Sequence, residues 1–129
     1  MKIAFIIVRI LMGLLFLMAS IPVLFHLPMP EPKLEGNAKL FMDGITATTY
    51  FLPFLKLTEF VCGLAFLAGR FVPLAAVVLF PITLNIFLYH LFVLPSALPM
   101  AIAILVANLF LAYACRKHYG PLLQAKRIP

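Results

Sequence analysis

Four long apolar runs decide what this chain can fold into. They lie at about 3–25, 50–68, 71–94 and 97–115. A helix rises about 1.5 Å per residue, so roughly 20 mainly apolar residues cross the hydrocarbon of a bilayer. Inside lipid every backbone N–H and C=O needs a partner, which a helix supplies within its own length. The expected class is therefore all-α: a polytopic membrane protein with a four-helix transmembrane bundle, forming one transmembrane domain over 1–129. Composition points the same way. The chain is 65% hydrophobic and 11% charged, whereas soluble domains are roughly 45–50% apolar and roughly 25% charged. A cytosolic enzyme, a disordered region and a disulfide scaffold are excluded on that ground.

The joints between runs carry topology. Gly69 and Arg70 form a very short joint, so the second and third spans are antiparallel neighbours. Pro95, Ser96 and Pro99 mark the next joint, because proline is disfavoured inside a helix and accepted in its first turn. The long connection, about 26–49, begins Pro-rich and cannot start as a helix. Its end, about 37–45, groups Leu40, Phe41 and Ile45 apart from Lys39 and Asp43. That pattern fits either a short interfacial helix or an ordinary loop, with Gly36 and Gly44 weakening the helix. The first run follows Lys2 as a signal peptide would, but Arg9 interrupts it and no A-x-A-like cleavage site follows. It reads as a retained helix.

The net charge of +6 is an orientation signal. Lys2, Arg70, Arg116, Lys117, Lys126 and Arg127 share one side; Lys33 and Lys39 stand on the other with Glu31, Glu35 and Asp43. The positive-inside bias then places both termini in the cytoplasm, where the basic tail meets anionic headgroups. A nucleic-acid partner would need a basic stripe interleaved with exposed aromatics, and the phenylalanines instead lie inside the apolar runs.

Ionisable residues inside spans are costly, so they face the bundle interior and seek partners. Depth along the helices suggests an ion pair between Arg9 and Glu59, joining the first two spans. Asn108 lies at similar depth and Asn85 deeper, so the candidate polar pocket is Arg9, Glu59, Asn85 and Asn108. Lys56 and His90 are secondary candidates, both placed to snorkel towards the surface. Gly13 and Gly63 lie on the polar stripes and suit close helix packing. Pro81 removes the partner of the Val77 carbonyl, which implies a kink, with Asn85 one turn later. Cys62 and Cys115 form no C-x-x-C and read as small packing residues. His26 and His118 lie at membrane edges, and no His pair has ligand spacing, so no metal site is expected.

Four segments together resemble the DoxX family of small bacterial membrane proteins. They are Arg-Ile-Leu-Met-Gly-Leu-Leu-Phe at 9–16, Leu-Lys-Leu-x-Glu-x-x-x-Gly-Leu-x-x-Leu-x-Gly-Arg at 55–70, Pro-Leu-Ala-Ala at 73–76, and Pro-Ile-x-x-Asn-Ile-x-x-x-His at 81–90. The resemblance implies a four-helix protein of the bacterial inner membrane. It implies an accessory subunit of a quinone-linked redox assembly, with quinone as a candidate ligand and other redox subunits and further copies as candidate partners. Arg9, Glu59, Gly63, Arg70, Asn85 and His90 stand at the family-like positions. The residues themselves leave three readings open. In one, the polar cluster is a ligand pocket. In another, the protein is structural or lipid-interacting, and the Arg–Glu pair only fixes packing. In the third, Glu59 lines a water-filled path of a small-solute or proton carrier.

Overall fold

A computed structural model describes residues 2–27, 33–123 and 125. Its helices are α1 (Lys2–Leu24), α2 (Gly36–Ala47), α3 (Phe51–Ala68), α4 (Val72–Phe92) and α5 (Leu98–Ala114). Short 3-10 turns lie at Pro95–Ala97, Arg116–Tyr119 and Pro121–Leu123. Among the described residues, four helices are long and apolar enough to cross a membrane: α1, α3, α4, and α5 with its leading turn. The Pro-rich start of the long connection, 28–32, lies outside the described residues, as do Lys126 and Arg127.

Each helix buries a narrow face and leaves the rest apolar and exposed. On α1 the buried residues are Met12, Gly13, Phe16 and Ser20, while Ile7, Leu11 and Met18 point outward. On α5 Ala101, Ile104, Asn108 and Leu111 are buried, and Ile102, Val106 and Leu109 are exposed. An apolar surface this continuous is an aggregation hazard in water and is solvated by acyl chains in a bilayer. The protein is a membrane protein surrounded by lipid.

The end of the long connection is a helix, α2. It starts at Gly36, held at φ 63°, a left-handed value that glycine adopts without steric penalty. α2 buries only Ala38 and rests Phe41 on Tyr89 of α4, ring centroids 4.9 Å apart.

Turn chemistry sets the topology. Gly69 closes α3 at φ 72°, and the N–H groups of Gly69 and Arg70 both return to the Ala65 carbonyl at 3.0 and 3.2 Å. Phe71 is also left-handed, at φ 58°, so the chain reverses within three residues and α4 runs back beside α3. His26 closes α1 in the same manner at φ 54°; Leu27 N–H reaches the Pro22 carbonyl at 2.8 Å.

Two tight helix pairs make the bundle. α1 and α3 cross at Gly13 and Gly63: a Cβ on Gly13 would lie 2.9 Å from the Gly63 carbonyl oxygen. Lipid tails are as apolar as leucine, so no hydrophobic force draws helices together there, and close backbone packing takes its place. α4 and α5 are joined by polar contacts around Pro81. Asn108, fully buried, donates from Nδ2 to the Ala76 carbonyl at 3.1 Å. Its Oδ1 accepts from the Thr83 hydroxyl at 2.8 Å; the same hydroxyl stands 2.9 Å from the Phe80 carbonyl. This seam, not a contact of Asn85, occupies the stretch of α4 that proline disturbs. Replacing Asn108 with leucine removes both cross-helix bonds, leaving the Thr83 hydroxyl only the Phe80 carbonyl of its own helix and emptying one acceptor position of Ala76. We expect a loss of about 1–2 kcal/mol in denaturant titration of the purified protein, with α4–α5 proximity as the local readout.

The Arg116–Tyr119 turn is tied to the start of α4. The Tyr119 hydroxyl donates to the Pro73 carbonyl at 2.7 Å. Burial, and secondarily Cys115, holds its pKa above the ordinary tyrosine value, so the donor keeps its proton at neutral pH.

Candidate functional site

The main polar cavity lies between α1, α3, α4 and α5, with α2 covering it. Its volume is about 490 Å³. The walls are largely apolar: Leu15, Phe16, Met18 and Ala19 from α1, Leu52 and Leu55 from α3, Ile86 from α4, and Met100 and Ile104 from α5. Phe41, Met42 and Ile45 of α2 complete them. Five polar side chains line the same space: Lys56, Glu59, Asn85, Tyr89 and His90.

Glu59 sits about 12–14 Å from the two ends of α3 by helical rise, and its side chain is only 4% exposed. Lys56 Nζ lies 3.1 Å from Glu59 Oε2, one turn away on the same helix. The carboxylate therefore meets its counter-ion without any side chain reaching across helices. Asn85 stands one turn before Tyr89 on α4, and Tyr89 stacks edge-on to His90 with centroids 5.2 Å apart. His90 Nδ1 lies 2.7 Å from the Ile86 carbonyl. A carbonyl only accepts, so Nδ1 carries the proton, and in the neutral ring Nε2 is left as an acceptor.

The proposed Arg9–Glu59 ion pair does not form, and this corrects the sequence expectation. Glu59 is paired with Lys56. Arg9 instead lays its guanidinium directly against Gly69 at the end of α3, where a Cβ would collide with Nη1. The reason is physical. An arginine near a helix end lowers its desolvation penalty by extending towards the membrane surface, and the end of α3 presents partially negative carbonyls to it. Arg9 Nε is buried without a hydrogen-bond partner among the described residues. Gly69 thus meets two demands, a left-handed backbone and room for a guanidinium.

The four residues expected to form one pocket are consequently divided among three places. Glu59 and Asn85 line the cavity, together with Lys56 and His90. Arg9 packs on Gly69. Asn108 is enclosed in the α4–α5 seam. Gly13 and Gly63 face one another at the α1–α3 crossing. Cys62 and Cys115 are buried free thiols. Sequence reasoning passed over Tyr89 and Thr83, and placed Phe41 only on the apolar side of a possible interfacial helix. Tyr89 was legible from its spacing, one turn beyond Asn85 and adjacent to His90. Phe41 depends on how α2 folds back, and Thr83 on the register of α4 against α5, neither of which is a local property.

The arrangement suits a small amphipathic molecule. Lys56 and Asn85 can donate to carbonyl oxygens, while Glu59 and the free His90 nitrogen can accept from hydroxyls. A cavity in the roughly 300–1,000 Å³ range, with apolar walls and a few convergent polar groups, is the usual form of a small-molecule site. The family model described as DoxX matches residues 4–114. No curated protein and no solved structure matches the chain.

Proposed function

The chain belongs to the DoxX family, and from that premise we propose that it is an accessory, ligand-binding subunit of a membrane redox assembly. Its ligand is a quinone, with the ring in the cavity and the hydrocarbon tail leaving between helices into lipid. The observation that carries this reading is the convergence of Lys56, Glu59, Asn85 and His90 on one apolar-walled cavity. A quinone presents two carbonyl acceptors, which Lys56 and Asn85 match. Its reduced form presents two hydroxyl donors, which Glu59 and His90 match. Both states of such a ligand therefore find partners in one site. The distribution of Lys and Arg supports a bacterial inner-membrane orientation with both termini in the cytoplasm, and in that orientation the cavity lies nearer the outer face.

The test is binding of a short-chain quinone to the purified full-length protein in nanodiscs. We expect saturable binding, weakened about tenfold or more by Asn85→Leu, which removes a hydrogen bond to the ring and leaves the Lys56–Glu59 pair intact. Affinity capture from membranes is expected to return a redox protein. Absence of saturable quinone binding overturns the ligand, and capture of no redox partner overturns the assembly.

A second reading, a non-catalytic structural or lipid-interacting protein, draws on the Asn108–Thr83–Ala76 seam, which spends its polar groups entirely on helix packing. It predicts that apolar residues at both Lys56 and Glu59 leave the cellular phenotype intact.

A further inference from the structure

At the opposite end of the bundle, where α1 begins and α5 ends, a separate cleft opens between the start of α1 and the turn that follows α5. Its volume is about 330 Å³, and Lys2, Phe5, Ala114, Cys115, Arg116 and His118 line it. None of these residues belongs to the cavity described above. Three are cationic or can become so, and among the described residues no acidic side chain lines the cleft. Phe5 and Ala114 belong to the membrane-spanning helices α1 and α5, so an apolar wall continues from the cleft into the hydrocarbon.

The Arg116 side chain and the His118 backbone are held in place. Arg116 Nη1 donates to the Tyr113 carbonyl at 3.0 Å, and the guanidinium stacks on the Tyr113 ring at 4.3 Å from its centroid. That leaves the remaining N–H groups of a planar fork, whose geometry matches phosphate oxygens. His118 is set by a backbone bond from its N–H to the Cys115 carbonyl at 2.9 Å. The turn itself is anchored to α4 through the Tyr119 hydroxyl and the Pro73 carbonyl. The wall therefore belongs to the bundle and does not drift as a loose tail would.

We propose that this cleft binds the phosphate headgroup of an anionic phospholipid, gripped by Lys2, Arg116 and His118, with its glycerol and first acyl carbons on Phe5 and Ala114. A bare anion would use only the cationic rim. The apolar wall leading into the bilayer is what selects a lipid.

Lipid retention by the detergent-purified full-length protein tests the assignment, using native mass spectrometry after exposure to mixed vesicles of phosphatidylglycerol and phosphatidylcholine. Phosphatidylglycerol is expected to be retained selectively. Lys2→Gln and Arg116→Gln are each expected to lower that retention about fivefold. Both side chains are exposed, so neither substitution disturbs the buried packing. Lys39→Gln, on α2 at the other end of the bundle, is expected to change nothing. Equal retention of the two lipids overturns the proposal, as does unchanged retention in both cleft variants. Displacement of the lipid by inorganic phosphate at low millimolar concentration also overturns it, because that result makes the site one for free phosphate.

Discussion

Gly13→Ala is expected to destabilise the bundle, although alanine is the better helix former. Helix propensity alone favours the substitution by about 1 kcal/mol. Packing opposes it: the new Cβ would lie 2.9 Å from the Gly63 carbonyl oxygen and 2.9 Å from Leu67 Cγ. The carbonyl is backbone and cannot yield alone, so α1 and α3 must separate along their crossing. Overpacking of this kind costs about 1–3 kcal/mol, and leucine at the same position is expected to exceed that range. Denaturant titration in mixed micelles gives the number. Gly44→Ala provides the internal comparison, since nothing lies within 4 Å of a Cβ built there. It is expected to be neutral or mildly stabilising. If Gly13→Ala behaves like Gly44→Ala, the α1–α3 crossing is not the close contact described.

The second large effect concerns the ion pair. Lys56→Met leaves Glu59 in the middle of α3 without its cation. Breaking a buried pair by removing one partner costs about 3–5 kcal/mol, whereas replacing both by apolar residues is often neutral. We therefore expect Lys56→Met to be severely destabilised and Lys56→Met/Glu59→Leu to recover most of the loss. The difference is read as a coupling energy from a double-mutant cycle. Arg9 supplies the contrast: Arg9→Met and Glu59→Leu are expected to add without coupling, because the guanidinium lies on Gly69. Strong coupling between Arg9 and Glu59, with none between Lys56 and Glu59, would return the pairing to the one the sequence suggested.

These expectations show where local reading ends. The four spans were legible because each is a property of about twenty consecutive residues and of the length of a helix against the thickness of a bilayer. The short joint at Gly69 and Arg70 was legible for a similar reason, since so few residues allow only an antiparallel return. The cavity was partly legible. Glu59, Asn85, Lys56 and His90 were all singled out as polar groups in apolar surroundings, and all four line it. Their grouping was not. Depth along a helix is a one-dimensional coordinate, and it cannot tell a residue facing a cavity from one facing a seam or a helix end. Arg9 and Asn108 were assigned by depth, and tertiary packing put them elsewhere. The counter-ion of Glu59 was present in the sequence at three residues' distance, but the expected snorkelling of Lys56 to the surface concealed it.

The sequence by itself determined that the chain enters a membrane, how many times it crosses, and which residues carry charge into the bilayer. Those follow from hydropathy and chain length, which are local and additive. Tertiary structure alone decided which polar groups share a cavity, which are consumed in packing, and which guanidinium supports a helix end. The physical reason is that helix register and crossing, set by contacts as small as Gly13 on Gly63, rotate each side chain towards ligand, neighbour or lipid. A rotation of one residue's worth along a helix changes that choice without altering composition, depth or hydropathy.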